Sequence, residues 1–380
     1  MKILFFEPDL TGHRMEYIHH EVCGAVLHAD SSFVFVVPWV FKKSKESFIW
    51  PDAQNVSFVF LTDLEYAKCN RTNRPGRIWA VSKTVRKYAR LEHADHVFMN
   101  TLIDGMPFIP FMMPWYTKIS GIIYGCYLWQ KDILSRSKYM YYSFLYWLLK
   151  RSKRFNKVFL LNDTITVNRL NTECGCNRFG CLPDPVTHID RDKLKDIRAE
   201  YGIESGKTVY LLFPIAKRKH VLDILDAVGM MDDSELQDKA FMFVGKLDKE
   251  IEEAFHNKIE VLRDRCQIIT VEKVVPYQTL FNFCYSADVL LTIYDNYHMS
   301  SGVLGYCAYF NKCVISISKG LLGHLVRTYN MGICIDKTDA DSIADALRAK
   351  PSKCYSDYVE SHTIERFNEV IFSAFNQSNL

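Results

Sequence analysis

The chain has 380 residues, of which 48% are apolar, 14% aromatic and 24% charged. This apolar content is enough for two well-filled cores, and it excludes a disordered or low-complexity protein. The net charge is only +3, but about 24 Lys and Arg stand against about 15 Asp and Glu in residues 1–182, so the basic excess lies in the first half.

Strand-like and helix-like segments alternate through the first half. The opening MKILFFEPD is expected to be a buried strand and not a signal peptide, because its apolar run is short and an acidic pair follows it. Apolar runs predict strands at 3–6, 33–37, 56–61, 96–99, 119–123 and 158–161, and the clearest helices lie at 14–27 and 77–91.

The second half repeats this alternation. Strands are predicted at 209–213, 241–244, 268–270, 289–293, 314–317 and 333–335. Helices are predicted at 221–230, 249–263, 277–286, 302–310, 321–329 and 340–348. Alternating strands and helices with short connections predict two parallel sheets, each covered by helices on both faces.

Two prolines, Pro183 and Pro185, separate the two sets of elements. They predict an extended linker at 181–186, although a two-proline turn inside one domain is the alternative. The expected domains are therefore an N-terminal one of residues 1–182 and a C-terminal one of residues 183–354. The amphipathic tail, 355–380, is expected to pack back on the N-terminal domain.

Twelve cysteines are spread over the chain, several of them inside apolar runs, which is typical of a reducing cytosol. A group formed by Cys174, Cys176, Cys181 and His188 could imitate a metal cluster. Its spacing is not that of a standard zinc module, so no metal site is predicted.

The segment 289–317 carries the strongest local signal, because it reads as strand, polar loop, helix and strand. Ser300, Ser301 and Gly302 stand at the predicted helix start. A helix N-terminus presents unpaired N–H groups and a positive dipole end, so a phosphate could bind there. The alternative is that the serines only cap the helix.

Three motifs together resemble the GT-B glycosyltransferases, and most closely the family 4 type of bacterial surface-polysaccharide enzymes. The first is 212–220, with its Arg and Lys; the second is the strand at 241–244 with the glycine turn after it; the third is 289–317 with glycines at 320 and 323 beyond it. The resemblance implies an α/β GT-B fold, in which two Rossmann-like doubly wound parallel-sheet domains face a cleft and a C-terminal helix crosses back.

The resemblance also implies roles for individual residues. The second domain would bind a nucleotide-sugar donor through Arg218, Lys219, Gly245, Lys246, Asp295, His298, Ser300, Ser301 and Gly302. In the first domain, the loop after the first strand would lie over the acceptor and the reacting sugar through Thr11, Gly12 and Arg14. His13 and Glu16 are the candidate catalytic residues there, with Glu7 and Asp9 close by in sequence.

One departure from the family pattern affects the chemistry. Family 4 enzymes usually carry two glutamates with seven residues between them, and His298 and Tyr306 stand at those positions here. Asp295 is the nearest acid that could compensate. Retention is thus only the family expectation, and a catalytically inactive GT-B-fold glycan-binding or scaffold protein is the alternative function.

Two motifs that do not follow any predicted strand narrow the possible reactions further. No Asp-x-Asp motif follows a predicted strand, so the transfer is expected to be metal-independent and to need no cofactor beyond its substrate. No Gly-x-Gly-x-x-Gly follows a predicted strand, which argues against a nicotinamide-dependent oxidoreductase. The expected partners are a nucleotide sugar and a glycan or lipid-linked acceptor, and no nucleic acid.

Residues 115–157 interleave aromatic side chains with nine Lys and Arg. This composition suits contact with an anionic membrane surface, although a core helix followed by a solvated basic loop is the alternative. The expected location is cytoplasmic, with peripheral attachment to the inner face of the membrane.

Overall fold

The computed structural model describes residues 1–11, 14–44, 48–187, 189–351 and 357–375. The chain forms two compact units. Unit 1 contains Met1–Asp184 together with the chain from Ile364 onwards, and unit 2 contains Pro185–Thr363.

Unit 1 is built on a parallel sheet of seven strands in the order β3-β2-β1-β4-β5-β6-β7. The strands are β1 (Lys2–Phe6), β2 (Ser32–Pro38), β3 (Val56–Leu61), β4 (His96–Met99), β5 (Lys118–Ile123), β6 (Phe155–Leu161) and β7 (Phe179–Leu182). The helices are α1 (Arg14–Val26), α2 (Phe41–Ser44), α3 (Asp63–Cys69), α4 (Arg74–Leu91), α5 (Ile109–Met112), α6 (Arg136–Arg151) and α7 (Thr164–Cys174).

The sheet of unit 1 is buried on both faces. Successive side chains of a strand point to opposite faces, so Leu4 and Phe6 of β1 enter one core while Ile3 and Phe5 enter the other. Near-continuous apolar strands are typical of parallel sheets covered by helices on both sides. This explains why the strands of this unit read so clearly in the sequence.

Unit 2 is built on a parallel sheet of six strands in the order β10-β9-β8-β11-β12-β13. The strands are β8 (Thr208–Leu212), β9 (Lys239–Val244), β10 (Gln267–Val271), β11 (Val289–Thr292), β12 (Cys313–Ile317) and β13 (Gly332–Ile335). The helices are α8 (Val221–Gly229), α9 (Asp233–Leu236), α10 (Glu252–Leu262), α11 (Tyr277–Ser286), α12 (Val303–Phe310), α13 (Gly320–Thr328), α14 (Ala340–Arg348) and α15 (Tyr358–Ser361).

The last helix, α16 (Ile364–Phe372), returns to unit 1 and packs on α1. The ring of Phe372 lies 5.6 Å from that of Phe33 and 6.2 Å from that of Phe5. A Cβ at Gly24 of α1 would lie 2.5 Å from the Phe372 ring, so a glycine is needed for this close approach. The crossing back expected for the C-terminal helix is confirmed.

The fold class predicted from the sequence is confirmed by the two parallel sheets and their helices. All twelve predicted strands are present, with bounds that differ by at most three residues. Strand β7 was missed, and the segment expected to begin the linker at Cys181 contains its last two residues. The four residues of β7 pair only with β6 at the edge of the sheet, so they lack a long apolar run.

Candidate functional site

The three motifs of unit 2 lie at the carboxyl ends of neighbouring strands. Strands β9, β8, β11 and β12 are adjacent and parallel, so the loops that follow them leave the same edge of the sheet. Ligands of open α/β sheets bind at this edge. The structure therefore brings together the loops that carry the residues predicted to bind the donor.

Lys219 is the most unusual residue of this edge, because it is a lysine with only 3% of its surface exposed. Its amine donates hydrogen bonds to the carbonyl of Phe213 and, at 3.0 Å, to the hydroxyl of Tyr294. Among the described residues no carboxylate pairs with it. Burial, and secondarily the charge of Arg218, lower the pKa of Lys219 well below its ordinary value.

Tyr294 connects Lys219 to the start of α12. Its ring lies 4.4 Å from the Lys219 amine. Burial raises the pKa of Tyr294, and a hydrogen bond with Ser301 acts in the opposite direction. Ser301 also accepts a bond of 3.4 Å from the backbone N–H of Val303, the first residue of α12, while Gly302 is the N-cap. The helix thus begins one residue later than predicted.

Asp295 is held by the loop after β8. The backbone N–H of Asp295 donates to the carbonyl of Arg218 at 3.0 Å. One ring nitrogen of His220 lies 2.9 Å from the carboxylate of Asp295, and the other lies 2.9 Å from that of Asp223. The His220 ring thus bridges the two carboxylates. His220 also has a positive φ of 53°, which places its ring between these two acids.

The other predicted residues of this edge are more exposed. Arg218 is exposed, and no carboxylate among the described residues pairs with it. Lys246 is exposed as well, and it follows Gly245, whose φ is 111° and whose missing Cβ would lie 3.1 Å from Cα of Pro214. Lys217, the neighbour of Arg218, is instead paired with Glu250.

The two residues at the family's glutamate positions differ in environment. His298 is half-buried, its Nδ1 atom has no hydrogen-bond partner among the described residues, and burial lowers its pKa. Tyr306 is buried in α12, where its ring packs 5.7 Å from that of Phe281. His298 is therefore the one of the two that belongs to the polar loop, with a ring nitrogen able to meet a ligand.

Unit 1 has a second polar group, at the carboxyl end of β1. The guanidinium of Arg14 lies 2.6 Å from the carboxylate of Asp9 and 3.4 Å from that of Glu7. Thr11 donates its N–H and its hydroxyl to Asp9, at 3.0 and 2.8 Å. Thr11 and Arg14 of the predicted loop thus both contact Asp9.

Glu7 is 2% exposed, and its Oε2 atom has no partner among the described residues. Burial raises the pKa of Glu7 to about 8, although the charge of Arg14 acts in the opposite direction. Because Arg14 lies closer to Asp9, it compensates Glu7 only in part. Glu7 is therefore held as the neutral acid at neutral pH.

Sequence reasoning missed the residues that extend this group. Glu21 of α1 is fully buried, accepts a bond of 3.0 Å from the amide of Asn100 after β4, and has its pKa raised well above the ordinary value by burial. The hydroxyl of Tyr124, after β5, is buried without a partner among the described residues. Each is a single polar residue far from the others in sequence, so no local motif marks them.

The remaining predicted residues of unit 1 have different outcomes. Gly12 and His13 lie outside the described residues. Glu16 lies in α1 and is 4% exposed. The described residues contain no group of three or more His, Cys, Asp or Glu placed to hold a metal ion, and His188 lies outside them.

Comparison with solved structures identifies the fold. Sucrose-phosphate synthase from Thermosynechococcus elongatus superposes with a TM-score of 0.71 and 12% identity, over 99% of this chain and 98% of that chain. A glycosyltransferase from Rickettsia africae superposes with a TM-score of 0.65 and 12% identity, over 99% of both chains. Anabaena HepE in complex with UDP-glucose superposes with a TM-score of 0.66 and 13% identity, also over 99% of both chains. The chain has the GT-B fold along its whole length.

Neither of the sequence-based comparisons finds a relative. No family model matches the chain, and no curated protein matches it. The likeness is therefore one of fold, at 12 to 13% identity in the three structures above.

Proposed function

We propose that the chain is a glycosyltransferase that moves a sugar from a nucleotide-sugar donor to a glycan or lipid-linked glycan acceptor in surface-polysaccharide synthesis. The observation that carries this proposal is the buried Lys219 amine, which no described carboxylate pairs with. Burial disfavours the charged form of this amine, and a donor diphosphate beside it would supply the counter-charge that favours the ammonium form. HepE, which shares the fold, is in complex with UDP-glucose.

The residues of unit 2 suit a diphosphate leaving group. Negative charge develops on the diphosphate as the glycosidic bond breaks, so cations and N–H donors directed at it accelerate the reaction. Lys219 and Arg218 would supply charge, and the start of α12 beside Ser301 would supply N–H donors. This set needs no metal ion. Retention, and membership of family 4, remain expectations from the resemblance.

Asp295 is the acid that we assign to the donor sugar. Its backbone is fixed to Arg218, and its carboxylate is oriented by His220, which is itself fixed by Asp223. A carboxylate held in this way accepts hydrogen bonds from sugar hydroxyls without first losing its own freedom of rotation. It would take over part of the role of the glutamate that His298 replaces.

Replacing His220 by Asn should lower turnover roughly tenfold, since an oriented charge-assisted hydrogen bond contributes about 1.5 kcal/mol. Asn tolerates a positive φ, so the backbone is retained. The measurement is donor turnover together with donor affinity. His256→Asn is the matched control, because His256 of α10 pairs with Glu272, which follows β10, and makes no contact with Asp295 or Asp223 among the described pairs. If the two variants turned over the donor at the same rate, the assignment of Asp295 to the donor sugar would be wrong.

Unit 1 would bind the acceptor through the polar group at the end of β1. A neutral Glu7 can donate a hydrogen bond to a hydroxyl as well as accept one, which suits a sugar acceptor. Thr11, Gly12 and Arg14 would lie along the acceptor, with His13 and Glu16 as catalytic candidates. The buried Tyr124 hydroxyl offers a further hydrogen bond.

Membrane attachment is the second part of the proposal. In α6, an exposed stripe runs through Arg136, Met140, Phe144, Trp147 and Arg151, at the helical spacing that places side chains on one face. Met140 is 62% exposed and Trp147 51% exposed. Apolar side chains between two arginines suit the interface of an anionic membrane, where a lipid-linked acceptor is presented.

A second exposed aromatic residue contacts the chain that follows α6. Trp115 is 82% exposed, and its carbonyl accepts a hydrogen bond from Arg154. Phe111, Lys118 and Lys153 line the same depression. No described helix is long and apolar enough to cross a bilayer, so contact through this surface would be peripheral.

Changing Met140, Phe144 and Trp147 together to Ser should weaken binding to anionic liposomes at least tenfold, since each inserted side chain contributes about 1.5 to 3 kcal/mol. Co-sedimentation measures the loss, and added salt should weaken the wild-type binding further. The control changes three exposed apolar residues of unit 2, Val261, Val274 and Tyr285, to Ser. Equal liposome binding by the two triple variants would contradict attachment through α6.

The enzymatic function is tested by thermal shift with a panel of UDP-, GDP- and other nucleotide sugars, followed by assays of donor hydrolysis and transfer. A donor that binds the native state raises the melting temperature by mass action. A protein that binds glycan but no nucleotide sugar, in EDTA or with Mg²⁺ and Mn²⁺, would instead be a GT-B-fold binding or scaffold protein. The missing glutamate pair is the observation that favours this second candidate.

A further inference from the structure

Two thiols meet at the end of α7. Sγ of Cys174 lies 2.9 Å from Sγ of Cys176, and both residues are half-buried. A disulfide bond is about 2.05 Å long, so a movement of about 1 Å would join the two atoms. The two cysteines are two apart in the sequence, and the sequence analysis predicted no metal site that would use them.

The backbone holds these thiols together. Gly175 ends α7 with a φ of 61°, and its N–H and that of Cys176 bond to the carbonyls of Thr172 and Asn171. This is the Schellman arrangement, in which the left-handed residue reverses the chain after the helix. A Cβ at Gly175 would meet nothing within 4 Å, so the turn is open to solvent reagents.

The charges around the pair make the two thiols unequal. Burial opposes ionisation of Cys176, but a hydrogen bond from Cys174, the N–H of Arg178 and the charges of Arg178 and Lys157 together lower its pKa. Burial, followed by the contact with Cys176, raises the pKa of Cys174. Burial also raises the pKa of Cys23, Cys181 and Cys334, the other half-buried thiols among the described residues. Cys176 is thus the nucleophile and Cys174 the resolving thiol.

We propose that Cys174 and Cys176 form a reversible redox pair that is oxidised by low-molecular-weight disulfides such as glutathione disulfide. The Cys176 thiolate attacks one sulfur of the oxidant, forms a mixed disulfide and releases one thiolate. Cys174 then loses its proton, attacks Sγ of Cys176 and releases the second thiolate. Two protein thiols are oxidised to one disulfide while the oxidant is reduced to two thiols.

The same turn holds the end of α6. Glu173 pairs with Lys150 at 2.9 Å, and the guanidinium of Arg178 donates to the carbonyls of Leu149 and Lys150 at 2.6 and 2.7 Å. Residues on both sides of the thiol pair therefore anchor the last turn of α6. A change in the oxidation state of the pair would act on these anchors directly.

The test incubates the full chain in glutathione buffers over a range of potentials, traps free thiols with N-ethylmaleimide and measures the tryptic peptide of residues 170–178. We expect both thiols of this peptide to escape alkylation together, with a mass about 2 Da below that of the dithiol, and to recover on reduction. Two alkylated thiols at every potential, or a persistent mixed disulfide in the wild type, would overturn the proposal.

Single variants separate the two roles. Cys174→Ser should accumulate a glutathione mixed disulfide on Cys176, because no thiol remains to resolve it. Cys176→Ser should react roughly tenfold more slowly, because burial raises the pKa of the remaining Cys174 thiol and leaves less of it as thiolate. Cys23→Ser is the control and should leave the peptide's behaviour unchanged. Equal reaction rates of the Cys174 and Cys176 variants would contradict the assignment.

Discussion

Replacement of Lys219 by Met should lower kcat/KM for the donor roughly tenfold to 150-fold, because a charge-assisted hydrogen bond to the diphosphate contributes about 1.5 to 3 kcal/mol. Stability should not fall in parallel. Met fills a similar volume and removes a buried amine that no described carboxylate compensates. The measurements are steady-state kinetics and the melting temperature of the same samples.

The matched control is Lys217→Met, two residues earlier in the same turn. The Lys217 amine is exposed and already paired with Glu250, so its loss should change donor kinetics little. Arg218→Ala should resemble the Lys219 variant, since Arg218 is exposed at the same edge. Lys219→Met with wild-type kinetics and a lowered melting temperature would make Lys219 a structural residue only.

Stability should fall as the pH rises from about 4.5 to about 8, because Glu7 has a folded-state pKa of about 8 against an ordinary value of 4.5. Between these values the native state binds the proton and the unfolded state has released it. Each pH unit then costs up to about 1.4 kcal/mol per proton. Glu21, whose pKa is also raised by burial, adds to the effect in the same direction.

Glu7→Gln should flatten this dependence, since Gln has the shape of the neutral acid and does not ionise. The free energy of unfolding in urea, measured at pH 5.5, 7.0 and 8.5, gives this pH dependence. Glu65→Gln is the control, because hydrogen bonds from Lys87 and Thr62 outweigh burial and lower the pKa of Glu65 to about 2. The stabilising effect of the ionised Glu65 carboxylate is lost as the pH falls, not as the pH rises. A Glu7→Gln variant with the full wild-type slope would refute the assignment.

The sequence predicted the fold because local hydrophobic patterns indicate its strands and helices. Parallel strands covered on both faces are continuous apolar runs, and β3, β4, α11 and α14 were predicted with their observed bounds. Local pattern failed at β7, whose four residues include a glycine and lie at the sheet edge. An edge strand buries less surface, so its sequence has a shorter run of apolar residues.

The sequence predicted which loops of unit 2 lie together at one edge of the sheet, because their residues follow strand ends that the motifs mark. The sequence could not tell that Lys219 is buried while Arg218 is exposed, or that His220 joins Asp295 to Asp223. These facts depend on the positive φ at His220 and on the short 3₁₀ turn before it. Neither has a reliable sequence signal outside glycine and asparagine.

By itself, the sequence determined the two parallel sheets and the succession of strands and helices along the chain, apart from β7. Only the tertiary structure decided which polar groups are buried together. Glu7, Glu21, Asn100 and Tyr124 come from one helix and the ends of three strands, and the sheet order places β1 next to β4 and β4 next to β5. Burial at a shared edge, and not sequence spacing, raises the pKa values of Glu7, Glu21 and Tyr124, because desolvation depends on everything that packs around a group.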